Sequence, residues 1–270
     1  MASRSTSASP ASPAAQSLPA STMADSGPPA AAPAPAVGGH PSPVRVSRAR
    51  SAPIHTLDAE TLLARAALWR WAARAFWYPE PEFEPALRGQ EWRHTLAEAA
   101  ATGAWPDPSS LAGALGSVWT AADALGNNGL SLAEEHTALF ARQVPVPLHG
   151  TVYGADLGSA RTQDLARVAS FYEAFGFQVS SARAELADHL SVELEFVAAL
   201  LAKEAYARTR GPRWRARAAR VARAHGLFLD EHLLPWFDRF VDRLSQHRRL
   251  DFYPAVAGLV SALLAPERAP

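Results

Sequence analysis

The chain has no cysteine at all. That excludes disulfides, thiol nucleophiles, iron–sulfur ligation and cysteine-built zinc sites, and it fits a reducing compartment. It also lacks an excess of either charge, with 26 basic against 26 acidic residues. A nucleic-acid binder is expected to carry a basic surplus or stripe, and none shows across the whole chain. No apolar run approaches the ~18 residues of a membrane-spanning helix, and the N-terminus has no apolar core of a secretory signal. Strand-like alternation and a repeat of fixed period are missing too. So are the glycine-rich phosphate loops and the GxSxG nucleophile elbow.

What is present suits a helical core. Of the 270 residues, 48% are hydrophobic and 19% charged. Residues 1–55 form an Ala/Pro/Ser-rich tail whose composition buries too little apolar area to offset ordering entropy, so disorder is expected there. From Leu57 the pattern changes. Leu62, Ala66, Trp69, Ala73, Phe76 and Trp77 recur at helical spacing until Pro79 and Pro81 stop them. A second helix is expected over 84–101, a third over 111–125, and a fourth from Ser131, which with Glu134 forms a capping-box pattern, to about Ala141. The stretch ARQVPVPLHGTVYGADLGSA (141–160) is a long Pro/Gly loop in an otherwise helical chain, and such loops are often functional. Further helices are expected over 162–175 with Gly176 as C-cap, from ADHLSVELEF to about Ala207, over 214–224, through FLDEHLLPWFDRFVDRLSQH with Pro235 in the first turn or at a kink, and over 253–264. The reading is an all-α, single-domain bundle of about eight to ten helices over 56–270.

The stretch ADHLSVELEF concentrates the candidate chemistry. Asp188 can cap the helix, and Leu190, Leu194, Val197 and Leu201 form a core stripe. Neither role needs His189 with Glu193. Those two are four residues apart on one face, a spacing necessary for a helical metal site but far from sufficient, and no HExxH accompanies them. A helical metal-dependent enzyme using His189 and Glu193 is one alternative. Another is an adaptor for RNA or an acidic partner using the six arginines from Arg210 to Arg223, although a solvated helix face is the simpler account of that segment.

DHLSVELEF also resembles the central motif of the TorD/DmsD/NarJ family. The order of other features is similar: Leu139-Phe140, then Pro145 and Pro147, Val152-Tyr153, Phe171-Tyr172 with Gly176-Phe177, His232-Leu233 with Trp236, and Phe252-Tyr253. The resemblance spans about residues 57–265. It implies an all-helical, non-catalytic cytoplasmic chaperone that binds the apo catalytic subunit of a molybdopterin oxidoreductase, through its twin-arginine signal peptide or another terminal segment, until the cofactor is inserted. On that resemblance no cofactor is held stably, contact with molybdopterin is transient, no nucleic acid or membrane span is involved, and the protein is a monomer or dimer. Asp188 and Glu193 are then candidate acids for the leader's guanidinium groups. Leu139, Phe140 and Tyr153, with His136, are candidate groove residues. His189 is expected to orient Asp188 or touch the peptide, with titration near neutrality making binding pH-sensitive. A variant with Asp188→Ala and His189→Ala is expected to stay folded and lose its client.

Overall fold

Helix α1 (Ala59–Phe76) starts where Asp58 accepts a hydrogen bond from the Thr61 amide at 2.7 Å. It ends at Trp77, which turns extended two residues before Pro79. The computed structural model describes residues 57–268 apart from 128, 142, 155–158 and 180–184. The expected tail, 1–55, lies outside the described residues, as does part of the 141–160 loop. The regular structure of the described residues is helical, with no strand among them beyond an isolated bridge between His149 and His189.

The expected second helix is two. Helix α2 (Phe83–Leu87) closes in a tight turn at Arg88-Gly89, and α3 (Glu91–Thr102) follows. The break is held because the Trp92 indole N–H donates to the freed Leu87 carbonyl at 3.0 Å while stacking on Trp71. Helix α4 (Pro108–Asp123) begins three residues earlier than the periodicity suggests. Asp107 caps it through the Ser110 amide, and Pro108 occupies the first turn. The Ser131–Glu134 capping box opens α5 (Leu132–His136) as expected. A π-helical turn, Thr137–Ala141, continues it.

Helix α6 (Ser159–Ala174) ends at Gly176, whose φ of +63° and Phe177 N–H to Tyr172 carbonyl bond make the expected glycine C-cap. Helix α7 (Leu190–Thr209) is the centre of the bundle, packed along α1 on one side and against α8 (Arg215–Phe228) on another. The stripe Leu190, Leu194, Val197 and Leu201 is buried as expected, but Val192, Phe196, Ala198 and Leu200 are buried too, because α7 is enclosed nearly all round. A second π turn, Leu229–Leu233, joins α8 to α9 (Leu234–His247), with Pro235 in the first turn of α9. Helix α10 (Phe252–Arg268) packs on α4 and α1. No helix among the described residues is long and apolar enough to cross a membrane.

Candidate functional site at the start of helix α7

The chain enters α7 through a turn, and its backbone pairs there with the Pro/Gly loop. The Gly150 N–H donates to the Asp188 carbonyl at 3.0 Å, and the Leu190 N–H to the Leu148 carbonyl at 2.7 Å. This pairing turns the Asp188 side chain toward the loop. Its carboxylate accepts from the Thr151 amide at 3.0 Å and the Thr151 hydroxyl at 2.6 Å, and the His149 Nδ1 lies 3.2 Å away. Asp188 is therefore not the helix cap, contrary to the sequence-based expectation. His189 takes that role, its Nδ1 accepting from the Ser191 amide at 3.2 Å. Three donors in the loop outcompete the helix amides for the carboxylate.

Asp188 is 1% exposed. Burial alone would raise its pKa, but the hydrogen bonds from His149 and Thr151 outweigh burial and hold it below the usual carboxylate range. The His189 ring is stacked on Trp77 at 4.8 Å and meets His149 edge-on at 5.2 Å. Burial, helped by the neighbouring His149 and opposed by Asp188, pushes its pKa down to about 3. The expected titration near neutrality is thus corrected: His189 stays neutral there because its enclosed site disfavours the cation.

Glu193 lies one turn into α7 and is fully enclosed, with the Trp236 indole N–H donating to Oε2 at 3.3 Å. Burial, reinforced by the Asp188 charge, raises its pKa well above the usual range. A carboxyl raised in the fold adds stability below its unfolded pKa and loses it as pH rises through the folded value. The Glu193→Gln variant is therefore expected to melt higher than the wild type on the alkaline side, with a flatter pH dependence. Equal melting of the two proteins at pH 6 and pH 9 would contradict this.

Helix α9 clamps the other side of the loop. Arg239 reaches the Tyr153 carbonyl and Arg243 the Pro145 carbonyl, while Trp236 stacks on Tyr153 at 5.5 Å. The Tyr153 hydroxyl donates to the Pro147 carbonyl at 2.8 Å, and burial pushes its pKa up to about 12. At Gly150 a Cβ would sit 2.6 Å from the Trp236 Nε1. Gly150→Ala is expected to cost about 1–3 kcal/mol by displacing that indole and its bond to Glu193. A denaturant titration that leaves the midpoint unchanged would sink the argument.

Asp188, His189, Glu193 and Tyr153 thus gather around one loop. His136, Leu139 and Phe140 form a second cluster on the end of α1. The His136 Nε2 donates to the Phe76 carbonyl at 3.3 Å, its Nδ1 has no partner among the described residues, and burial lowers its pKa to about 4. Phe140 meets Tyr253 and His136 edge-on, and the Leu139 carbonyl accepts from the Val146 amide. Phe76 and Phe240 connect the two clusters. All seven residues are buried, none more than 8% exposed.

Sequence reasoning missed Thr151, His149, Trp77, Arg239 and Arg243. The last two follow Trp236 at i+3 and i+7, a one-face signal that was available. His189 and Glu193 gain no third ligand, since no group of three or more His, Asp or Glu that could hold a metal occurs among the described residues. Outside the junction, Pro79, Pro81, Pro85, Glu80, Glu84 and Arg88 line a surface groove of about 310 Å³.

Residues 107–242, half of the chain, match the family model described as nitrate reductase delta subunit. That span holds α4 through most of α9, with the whole loop, Asp188, His189 and Trp236. The chain is also 38% identical over 109 residues, 40% of its own length and 53% of the relative's, to the selenate reductase assembly chaperone protein of Thauera selenatis. It spans about half the length of that curated relative. The match, which takes in the loop, the Asp-His turn, Trp236 and Arg239, places this chain in the nitrate reductase delta subunit family.

Proposed function

We propose that the protein is a cytoplasmic assembly chaperone, not an enzyme, that binds the immature catalytic subunit of a molybdopterin oxidoreductase through its twin-arginine leader or another terminal segment. The observation that carries this reading is the family match across the loop and Asp-His junction, joined by similarity to a relative named as a selenate reductase assembly chaperone. The cofactor belongs to the client in this account and touches the chaperone only in passing.

The proposed contact residues are Asp188, His189, Glu193, Leu139, Phe140, Tyr153 and His136. Their burial adds a requirement. A peptide reaches them only when the 143–154 loop moves off α7 and α9, so binding through them exchanges the loop's hydrogen bonds for those of the client. Asp188 released from Thr151 then offers a carboxylate to a guanidinium.

Calorimetric titration of the full chain with a synthetic twin-arginine leader peptide tests the reading, with the Arg-Arg pair replaced by Gln-Gln as control. Binding of the first and loss of affinity for the second is the expected result, together with faster amide exchange over 143–154. Binding without any change in that loop moves the site elsewhere, the groove at Pro79–Arg88 being the next place to test. No binding of leader or mature-terminus peptides contradicts the reading.

A further inference from the structure

The segment from Arg213 to Arg223 holds five arginines, Arg213, Arg215, Arg217, Arg220 and Arg223, and all are exposed. None of them pairs with a carboxylate among the described residues. Glu204, on the neighbouring α7, is buried and taken by Arg208. The chain balances 26 basic against 26 acidic residues, so this is a local positive field, not a global one. Two guanidinium groups are held in place by rings: Arg217 lies 4.8 Å from the Trp214 ring centre and Arg210 lies 4.6 Å from that of Tyr206. Such stacking lowers the entropy lost when the arginine meets an anion.

The opposite face of α8, Ala218, Val221, Ala224 and Phe228, is buried, and the helix packs on α7. The arginine face therefore points outward along about 12 Å of helix, from Arg215 to Arg223. We propose that it is a docking surface for an acidic polypeptide segment, one whose carboxylates meet Arg215, Arg220 and Arg223. Guanidinium and carboxylate match as planar, bidentate partners. A bilayer is less well served. The side chains between the arginines are Ala216 and Ala219, and the exposed large apolar groups nearby are two, Leu227 on this helix and Tyr206 on α7, the latter with Arg210 over one ring face. A nucleic acid is less well served because the field is one helix long on a neutral chain. The proposal does not rest on leader binding, since none of these residues belongs to the loop junction.

The test uses the full chain and fluorescence anisotropy at low salt. The probes are a labelled helical peptide with glutamates on one face, its glutamine counterpart, a single-stranded RNA, and vesicles of phosphatidylcholine with phosphatidylglycerol. The glutamate peptide is expected to bind and the glutamine peptide not. The variant R215E/R220E/R223E is expected to lose at least about tenfold in affinity, as three exposed ion pairs of modest strength should, while keeping wild-type affinity for the twin-arginine leader. R215Q/R220Q/R223Q, with a melting curve for each protein, guards against misfolding. The proposal is overturned if the glutamate peptide does not bind, if both triple variants bind it as the wild type does, or if RNA or vesicles bind more tightly at the same salt.

Discussion

Replacing Asp188 with Ala is expected to lower folding stability by about 3–5 kcal/mol, the cost of stripping a buried carboxylate from donors that have turned to it. The Thr151 amide and hydroxyl lose their acceptor, and His149 loses its carboxylate. The loop then has only its backbone pairing and the α9 clamp to hold it on α7. For a domain of this size the melting temperature should fall by about 10 °C. Asp188→Asn keeps the shape but turns an amide N–H toward a donor, so it should fall between wild type and Ala. This revises the expectation from sequence, in which Asp188→Ala with His189→Ala stayed folded and lost only the client. His189→Ala adds the loss of a helix cap and of the stack on Trp77. Client binding must therefore be read per folded molecule. An unfolding free energy from denaturant titration for Asp188→Ala within about 0.5 kcal/mol of wild type would show that the carboxylate does not hold the loop.

The second large effect is acid sensitivity. His136 and His189 are held neutral in the fold, their pKa values lowered by burial from 6.5 to about 4 and about 3. Below pH 6.5 the unfolded chain takes up protons that the folded chain refuses. Each histidine then withdraws about 1.4 kcal/mol of stability per pH unit, until the folded value is reached. His225 and His232 are lowered in the same direction, again first by burial. Glu193 works against them, since its raised carboxyl gains stability as pH falls toward the unfolded value. Several histidines outweigh one carboxyl, so net stability is expected to drop steeply between pH 6.5 and 4.5. His136→Gln keeps a donor for the Phe76 carbonyl and should flatten that slope by about 1.4 kcal/mol per pH unit. Urea unfolding at half-unit pH steps measures it. A wild-type profile level from pH 6.5 to 4.5, or an unchanged slope in the variant, would contradict the buried-histidine account.

Local signals carried much of the fold. The α1 stripe, the Ser131–Glu134 capping box, the Gly176 cap and the α7 leucines are each written within about a dozen residues, and each stands where the pattern put it. Failures came where a distant contact overrules a local preference. The 84–101 helix breaks because Trp92 serves the Leu87 carbonyl. Asp188 leaves the cap because Thr151, far back in the chain, offers better donors. The site was half legible: the Asp-His-Glu surplus and the loop were visible, but not their burial, and burial is what sets the charge states of His189 and Glu193. Arg239 and Arg243 share a face with Trp236, but the loop carbonyls they reach lie far back in the chain, so their role is not written locally.

The most direct test of the central claim is affinity purification of the tagged full chain from its native host under anaerobic respiratory growth, with mass spectrometry of the companions. The account predicts a molybdopterin oxidoreductase catalytic subunit, recovered in its cofactor-free form with its leader or terminal segment intact. Absence of any molybdenum-enzyme subunit under every respiratory condition, with the chaperone itself folded and recovered, would contradict it.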